Sequence, residues 1–237
     1  ICLGRRRVKH GPPSTPGGDT GGPPSRADTA STIHIQRTLG VQELPVPEPV
    51  PILETWMTPL EVLHQEIAGC HLCVLRQRCR QPVPGTGPAN ARIMMVGEGP
   101  GEEEDKQVAP FVGPSGKVLR NLSQEAGLDI EHDVFLTNIV KCRPPNNRDP
   151  QAVEVQACLP YLDRQIQLIN PKVIIAIGRH AMMQFMPDEG ILKVHGRPRW
   201  VNGRIVMPII HPAGAMRNPE WKPTIRQDLR LIPRLLD

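Results

Sequence analysis

Short apolar runs alternate along this chain with longer stretches in which apolar residues recur at helical spacing. Four runs read as strands: Ile93–Val96, Val134–Val140, Val173–Ile177 and Arg204–Ile210. The third is continuous and β-branched, the composition of a strand buried on both faces of a parallel sheet. The spacing predicts a helix from Thr58 to Ala68, with Thr58 as N-cap, Pro59 at the first position and Glu61 three residues after the cap. Leu60, Leu63, His64 and Ile67 share its apolar side. A second helix carries Val118, Leu119 and Leu122 on one face. A third is capped by Asp149, opens on Pro150 and holds Cys158; Pro160 should break or kink it before it resumes to Ile169. A short helix is expected near His180–Phe185 and a last one near Pro223–Leu235. Strands separated by helices predict an α/β fold, a three-layer α/β/α sandwich around a central four-stranded parallel sheet.

Residues 1–58 lack this patterning. They contain PP, GG, GGPP and PVPEPVP, and cannot bury enough apolar surface to offset ordering entropy. The expected organisation is a disordered Pro/Gly-rich tail over 1–58 and one domain over 59–237. Arg5-Arg6-Arg7 is not followed by an apolar segment, so no secretory signal is visible, and no run of about 18 apolar residues suggests a membrane span. A cytoplasmic monomer is the expectation. The formal charge of +4 permits contact with nucleic acid without demanding it.

The first strand runs into Gly97-Glu98-Gly99-Pro100-Gly101, then four carboxylates, Glu102 to Asp105. Phe111 follows, then a second turn, Gly113-Pro114-Ser115-Gly116, and a helix. Strand, glycine loop and helix build a site at the carboxyl end of a strand. The helix does not start at the third glycine, which argues against a dinucleotide fingerprint. The acidic run alone fits a solvated face as well as a site. Three strands end in distinctive polar residues, Glu98, Asn138 and His211, which should converge on one edge of the sheet.

Six cysteines in such a chain are not expected to form structural disulfides. Cys70 and Cys73 form a C-x2-C pair; Cys142 stands at a strand end and Cys158 inside a helix. Four thiolates from two such pairs suit structural zinc or an iron–sulfur cluster, and spacing does not choose between them. Cys79 is a spare candidate near the first pair, and Cys2 lies in the tail.

Three stretches carry a resemblance: GEGPGEEEDK with PFVGPSG at 97–116, TNIVKCRPPNNR at 137–148, and HPA with RNP at 211–219. With the cysteine pairs, the chain resembles the family 4 uracil-DNA glycosylases, the iron–sulfur branch of the uracil-DNA glycosylase superfamily. The resemblance covers residues 59–237. It implies a monofunctional enzyme that hydrolyses the N-glycosidic bond of deoxyuridine in single- or double-stranded DNA, releasing uracil and leaving an abasic site. It implies a [4Fe–4S] cluster on Cys70, Cys73, Cys142 and Cys158. Phe111 would stack on the flipped base. Asn138 would accept from uracil N3–H and donate to O4, a pattern that cytosine reverses. His211 would donate to O2 as negative charge grows there, aided by backbone N–H groups near Gly99 and Gly101. Gly99 stands where related families carry a water-activating aspartate. Glu98 and Glu104 are therefore the candidate catalytic carboxylates, with Asp105 behind them and Glu104 preferred, for catalysis or to exclude the methyl of thymine. Lys117, Arg217 and the turn at 113–116 are candidate phosphate contacts.

The chain departs from the family pattern in four places. Gly214 replaces a tyrosine or similar bulky residue, and Val108 and Ala109 replace a glycine and a basic residue. Cys79 has no family counterpart. The histidine-bearing insert of the covalent-trapping relatives is missing, so ordinary turnover is expected. Without the resemblance, a non-catalytic iron–sulfur or zinc module for nucleic-acid binding or electron transfer is the rival reading; a convergent pocket favours the enzyme.

Overall fold

The computed structural model describes residues 57–237. The tail expected over 1–58 lies, up to residue 56, outside the described residues. In chain order the elements are α1 (Pro59–Ala68), β1 (Ile93–Gly97), α2 (Glu102–Gln107), α3 (Pro114–Glu125), α4 (Ile130–Asp133), β2 (Val134–Asn138), α5 (Ala152–Ile169), β3 (Val173–Ile177), α6 (Gly178–Met183), α7 (Ile191–Val194), β4 (Arg199–Val201), β5 (Arg204–Ile209), α8 (Pro212–Arg217) and α9 (Trp221–Leu229). None of the described helices is long and apolar enough to cross a membrane.

The sheet runs β2-β1-β3-β5-β4, with the first four strands parallel. Alternate residues of each strand face opposite layers, as the two-residue period requires. Met94, Val96, Phe135, Ile174 and Ala176 pack with Leu60, Leu162 and Met182 of α1, α5 and α6. Ile93, Met95, Leu136, Val173 and Ile175 pack with Leu119, Leu122, Ile225 and Leu229 of α3 and α9. The three-layer α/β/α architecture is thus as expected, but the sheet has five strands rather than four. The additional strand β4 pairs antiparallel with β5 through Asn202-Gly203, both at positive φ (47° and 77°). Asn-Gly is the strongest short hairpin signal, and it stood in the sequence. The strand itself is three residues long, with Trp200 exposed, so its apolar pattern was too short to register.

Other boundaries differ for local reasons. β2 ends at Asn138 because Ile139 and Val140 donate instead to the carbonyls of Gly97 and Glu98, lacing the first loop to the second. α5 runs unbroken through Pro160. Pro160 and Gln156 lie on its exposed side, so the carbonyl that loses its donor there faces water. The N-cap of α5 is Gln151, not Asp149; the Glu154 side chain accepts the Gln151 N–H at 2.7 Å, and Asp149 is left free to reach elsewhere. The last helix stops at Leu229, followed by a 3-10 turn at Pro233–Leu235.

Candidate active site

The carboxyl ends of β1, β2, β3 and β5 lie along one edge of the sheet, where open α/β folds bind ligands. There Glu98, Gly99, Gly101, Glu104, Phe111, Asn138 and His211 line a single pocket with Pro144, Arg148 and Arg217. The predicted convergence of Glu98, Asn138 and His211 is therefore present in the fold. Lys117 is exposed on α3 and absent from the lining.

Gly97, which the sequence offers only as the first glycine of a turn, is what lets two of these side chains meet. A Cβ on Gly97 would stand 2.6 Å from Phe111 Cζ and closer still to Asn138 Oδ1. The ring of Phe111 and the carboxamide of Asn138 thus share the space above one bare backbone position. Asn138 is buried, yet its carboxamide has no hydrogen-bond partner among the described residues. Phe111 sits at φ 56°, an unusual conformation for an aromatic residue. Its carbonyl accepts from Arg120 Nε at 3.2 Å and lies against Gly116, where any Cβ would overlap it. Strain of this kind persists where the surroundings over-determine it.

The acidic run divides in two. Glu102 is exposed and Glu103 half-buried, and they pair with Lys106 at 2.8 and 2.9 Å, the solvated-face reading. Glu104 and Asp105 are buried. One Glu104 oxygen accepts the Gly113 N–H at 2.9 Å, and its other oxygen lies against Gly101, so this carboxylate ties the first glycine loop to the second. Asp105 accepts the Arg80 N–H at 2.9 Å. Glu98 lies at the pocket with its side chain 29% exposed, and burial pushes its carboxyl above the usual carboxylate range.

His211 is the N-cap of α8. Its Nδ1 accepts the Ala213 N–H at 3.1 Å, which assigns the ring proton to Nε2. Burial, and secondarily the positive charge of Arg217, push its pKa down to about 4, so the ring is neutral at physiological pH. Gly178 at φ +84° makes room for it; a Cβ there would lie 3.0 Å from the His211 Cβ. Gly214 is closed off by the Trp221 ring, 2.7 Å from where its Cβ would stand. A bulky residue at 214 would thus compete with Trp221 for one space. Val108 closes α2 at φ 54°, ψ 35°, a left-handed position that suits the glycine it replaces.

On the α1/α5 side of the sheet, Cys70, Cys73, Cys142 and Cys158 line a second, apolar cavity with Leu72, Leu75 and Tyr161. Cys79 is absent from that lining, and its thiol contacts Cys142 instead, an interaction that pulls its pKa down to about 7. The same hydrogen bond with Cys79 and burial push Cys142 up, and burial pushes Cys158 up. Among the described residues, only Glu98, Asp149 and His180 bring three potential ligand atoms within 4.8 Å of one another. The cysteine sulfurs therefore spread wider than the roughly 3.8 Å imposed by one tetrahedral zinc with bonds of about 2.3 Å. Four thiols around one apolar cavity are a donor set that suits an iron–sulfur cluster.

Between the two cavities lies Lys141, a fully buried lysine that the sequence reading did not single out. Its Nζ donates to Thr137 Oγ1, the Asn138 carbonyl and Gln165 Oε1, each at 2.7 Å, while its own N–H faces Cys158 Sγ at 3.3 Å. Burial lowers its pKa to about 8.

Residues 84–230 match the family model described as Uracil DNA glycosylase superfamily. The chain is 45% identical over 189 residues to a type-4 uracil-DNA glycosylase of Sulfurisphaera tokodaii, covering 76% of this chain and 86% of the relative. A type-4 uracil-DNA glycosylase of Thermotoga maritima is 44% identical over 162 residues, 67% of this chain and 84% of the relative. A type-5 uracil-DNA glycosylase of Thermus thermophilus is 30% identical over 56% of this chain and 74% of the relative.

Proposed function

Since the chain belongs to the uracil-DNA glycosylase superfamily, we infer that it is a DNA-repair hydrolase that cuts the N-glycosidic bond of deoxyuridine in DNA, releasing uracil and leaving an abasic site. The observation that carries the pocket's part in this is the meeting of Phe111 and the unpartnered Asn138 carboxamide over Gly97. A flat base entering there stacks on the ring and offers its Watson–Crick edge to the carboxamide. The Asn138 oxygen accepts from uracil N3–H and the amide donates to O4; cytosine presents the opposite pattern at both atoms.

As the bond breaks, the base becomes an anion and the sugar a cation. Neutral His211, with its proton on Nε2, donates to uracil O2 without giving up that proton, so its contribution is electrostatic. Backbone N–H groups of the Gly99–Gly101 turn assist. Glu98 is the carboxylate that faces the sugar cation and orients the attacking water. Glu104 holds the loops that carry Phe111 and Gly113, because its oxygens are engaged there. Arg217 contacts phosphate at the pocket mouth.

Cys70, Cys73, Cys142 and Cys158 hold a [4Fe–4S] cluster. When bound it supplies structure rather than chemistry, joining the segment after α1, the loop after β2 and α5.

The test is incubation with a uracil-containing oligonucleotide followed by alkali, which cuts abasic sites. Cleavage at uracil and not at thymine or cytosine is expected; intact strands would overturn the reading. Asn138→Asp sharpens it: uracil excision should fall and some cytosine excision appear, whereas uracil excision at the unsubstituted rate would remove Asn138 from base reading.

A further inference from the structure

Glu98 is the pocket carboxylate with no strong hydrogen bond of its own among the described residues. The cationic-type side chain that faces its carboxylate is His180 of α6, with Nε2 3.8 Å from Glu98 Oε2. The same nitrogen is 3.0 Å from Asp149 Oδ2. Arg179 adds a guanidinium 3.3 Å from that Asp149 oxygen and 3.0 Å from His180 Nε2. With its proton on Nε2 the ring donates to Asp149 and faces Glu98 beyond hydrogen-bond distance, while the donor-only Arg179 guanidinium pairs with Asp149. Asp149 is free for this because Gln151 caps α5 in its place. The three ligand-type atoms lie close enough for a metal ion, but the Arg179 guanidinium already supplies positive charge beside the imidazole nitrogen.

We propose that His180 is a positioning residue for Glu98, aiming its carboxylate into the pocket, with Asp149 anchoring the same imidazole nitrogen. This rests on the reading of Glu98 as the carboxylate that acts on sugar and water. The charged groups around Glu98 are His180 and Arg179 of α6 and Asp149 ahead of α5; Glu104, Arg148, His211 and Arg217 line the same pocket. Burial raises the Glu98 pKa, His180 and Arg179 lower it and Asp149 raises it. The excision rate needs ionised Glu98, so it falls as pH drops through the raised Glu98 pKa. His211 protonates only near its pKa of about 4, so it does not set that limb.

The experiment follows Glu98 in two independent ways in the full chain. One is a carboxyl-carbon NMR titration of ¹³C-glutamate-labelled protein, with Glu98 assigned through Glu98→Gln. The other is the pH profile of single-turnover uracil excision. In His180→Ala the Glu98 midpoint and the acid limb should both move to higher pH. The rate at neutral pH should fall by roughly 10–100-fold, the cost of misplacing a reacting group by about an ångström, with little change in KM. His180→Gln keeps an N–H donor and should recover much of that rate. Asp149→Asn removes a charge that raises Glu98, so the midpoint should move to lower pH while the rate still falls. Opposite shifts from two neighbouring substitutions are not the signature of general misfolding. An unchanged Glu98 titration and acid limb in His180→Ala would overturn the proposal. So would excision abolished by EDTA and restored by a divalent cation, because the three side chains would then be metal ligands. Unsubstituted protein that titrates as described but never releases uracil would sink the proposed function instead and leave the coupling standing.

Discussion

The pocket and the cysteine-lined cavity grow from the same strand end, Asn138 on one side and Cys142 on the other, yet they are held in opposite ways. In the pocket the protein settles its own polar groups. His211 is neutral and oriented by a backbone N–H and Glu104 is tied to Gly113, while the Asn138 carboxamide and the Glu98 carboxylate carry no hydrogen bond among the described residues. Such a surface keeps its shape before the ligand arrives, which is what lets it favour a transition state. Around the cysteines, burial penalises the ionised form of Cys142 and Cys158, and neighbouring thiols add to it. Ionising these thiols becomes favourable there only when a positive group neutralises the thiolates. Lys141 joins the two regions: it lines the cysteine cavity, and its side chain holds the Asn138 carbonyl at the pocket's strand end together with Thr137 and, from α5, Gln165. One region is therefore organised by the chain, the other, on the proposed reading, by the cluster it would hold.

The largest test of this contrast is to empty the cysteine cavity. Cys142→Ala or chelation under reducing conditions should remove brown colour absorbing near ~400 nm and lower the melting temperature by about 10 °C or more. Colourless, anaerobically purified protein with stoichiometric zinc would reject the cluster. On the pocket side the same melting experiment should register little, while the chemistry changes steeply. His211→Ala should reduce the single-turnover excision rate by roughly 10²–10³, the range for one lost oxyanion donor, with uracil-DNA affinity much less affected. A rate equal to that of the unsubstituted protein would leave the carboxylates as the main catalysts. Gly97→Ala should cost about 10² in the same assay by pushing Asn138 and Phe111 out of register, with the melting temperature nearly unchanged because flexible side chains give way first. Activity retained in that variant would mean that the two side chains need not share that space. The smallest effect is expected from Val108→Gly. It relieves a left-handed valine that is 37% exposed and should stabilise by about 1 kcal/mol, read as a rise of a few degrees in the melting temperature at unchanged excision rate.

Much of the site was legible because strand ends announce themselves. An apolar run that stops at a polar residue marks a carboxyl edge, and parallel topology brings such edges together; Glu98, Asn138 and His211 were found that way. The cysteine pairs were legible from spacing, but their breadth was not, since sulfur separations depend on how α1, α5 and the loop after β2 pack. Asp149 looked like a helix cap because Asp-Pro is a common helix start. The fold gave that place to Gln151 and turned Asp149 towards His180.

What the sequence determined by itself was local and periodic: which segments are strands and helices, which glycines permit turns, and which residue types stand at the strand ends. Tertiary structure alone decided how the acidic run divides, with Glu102 and Glu103 to water and Glu104 and Asp105 to buried backbone donors. It also decided that Gly97 is the floor shared by Phe111 and Asn138, and that Lys141 is buried between two cavities. These outcomes rest on contacts between residues far apart in the chain. A period of 2 or 3.6 residues specifies which face a side chain occupies, but not which distant group will meet it there.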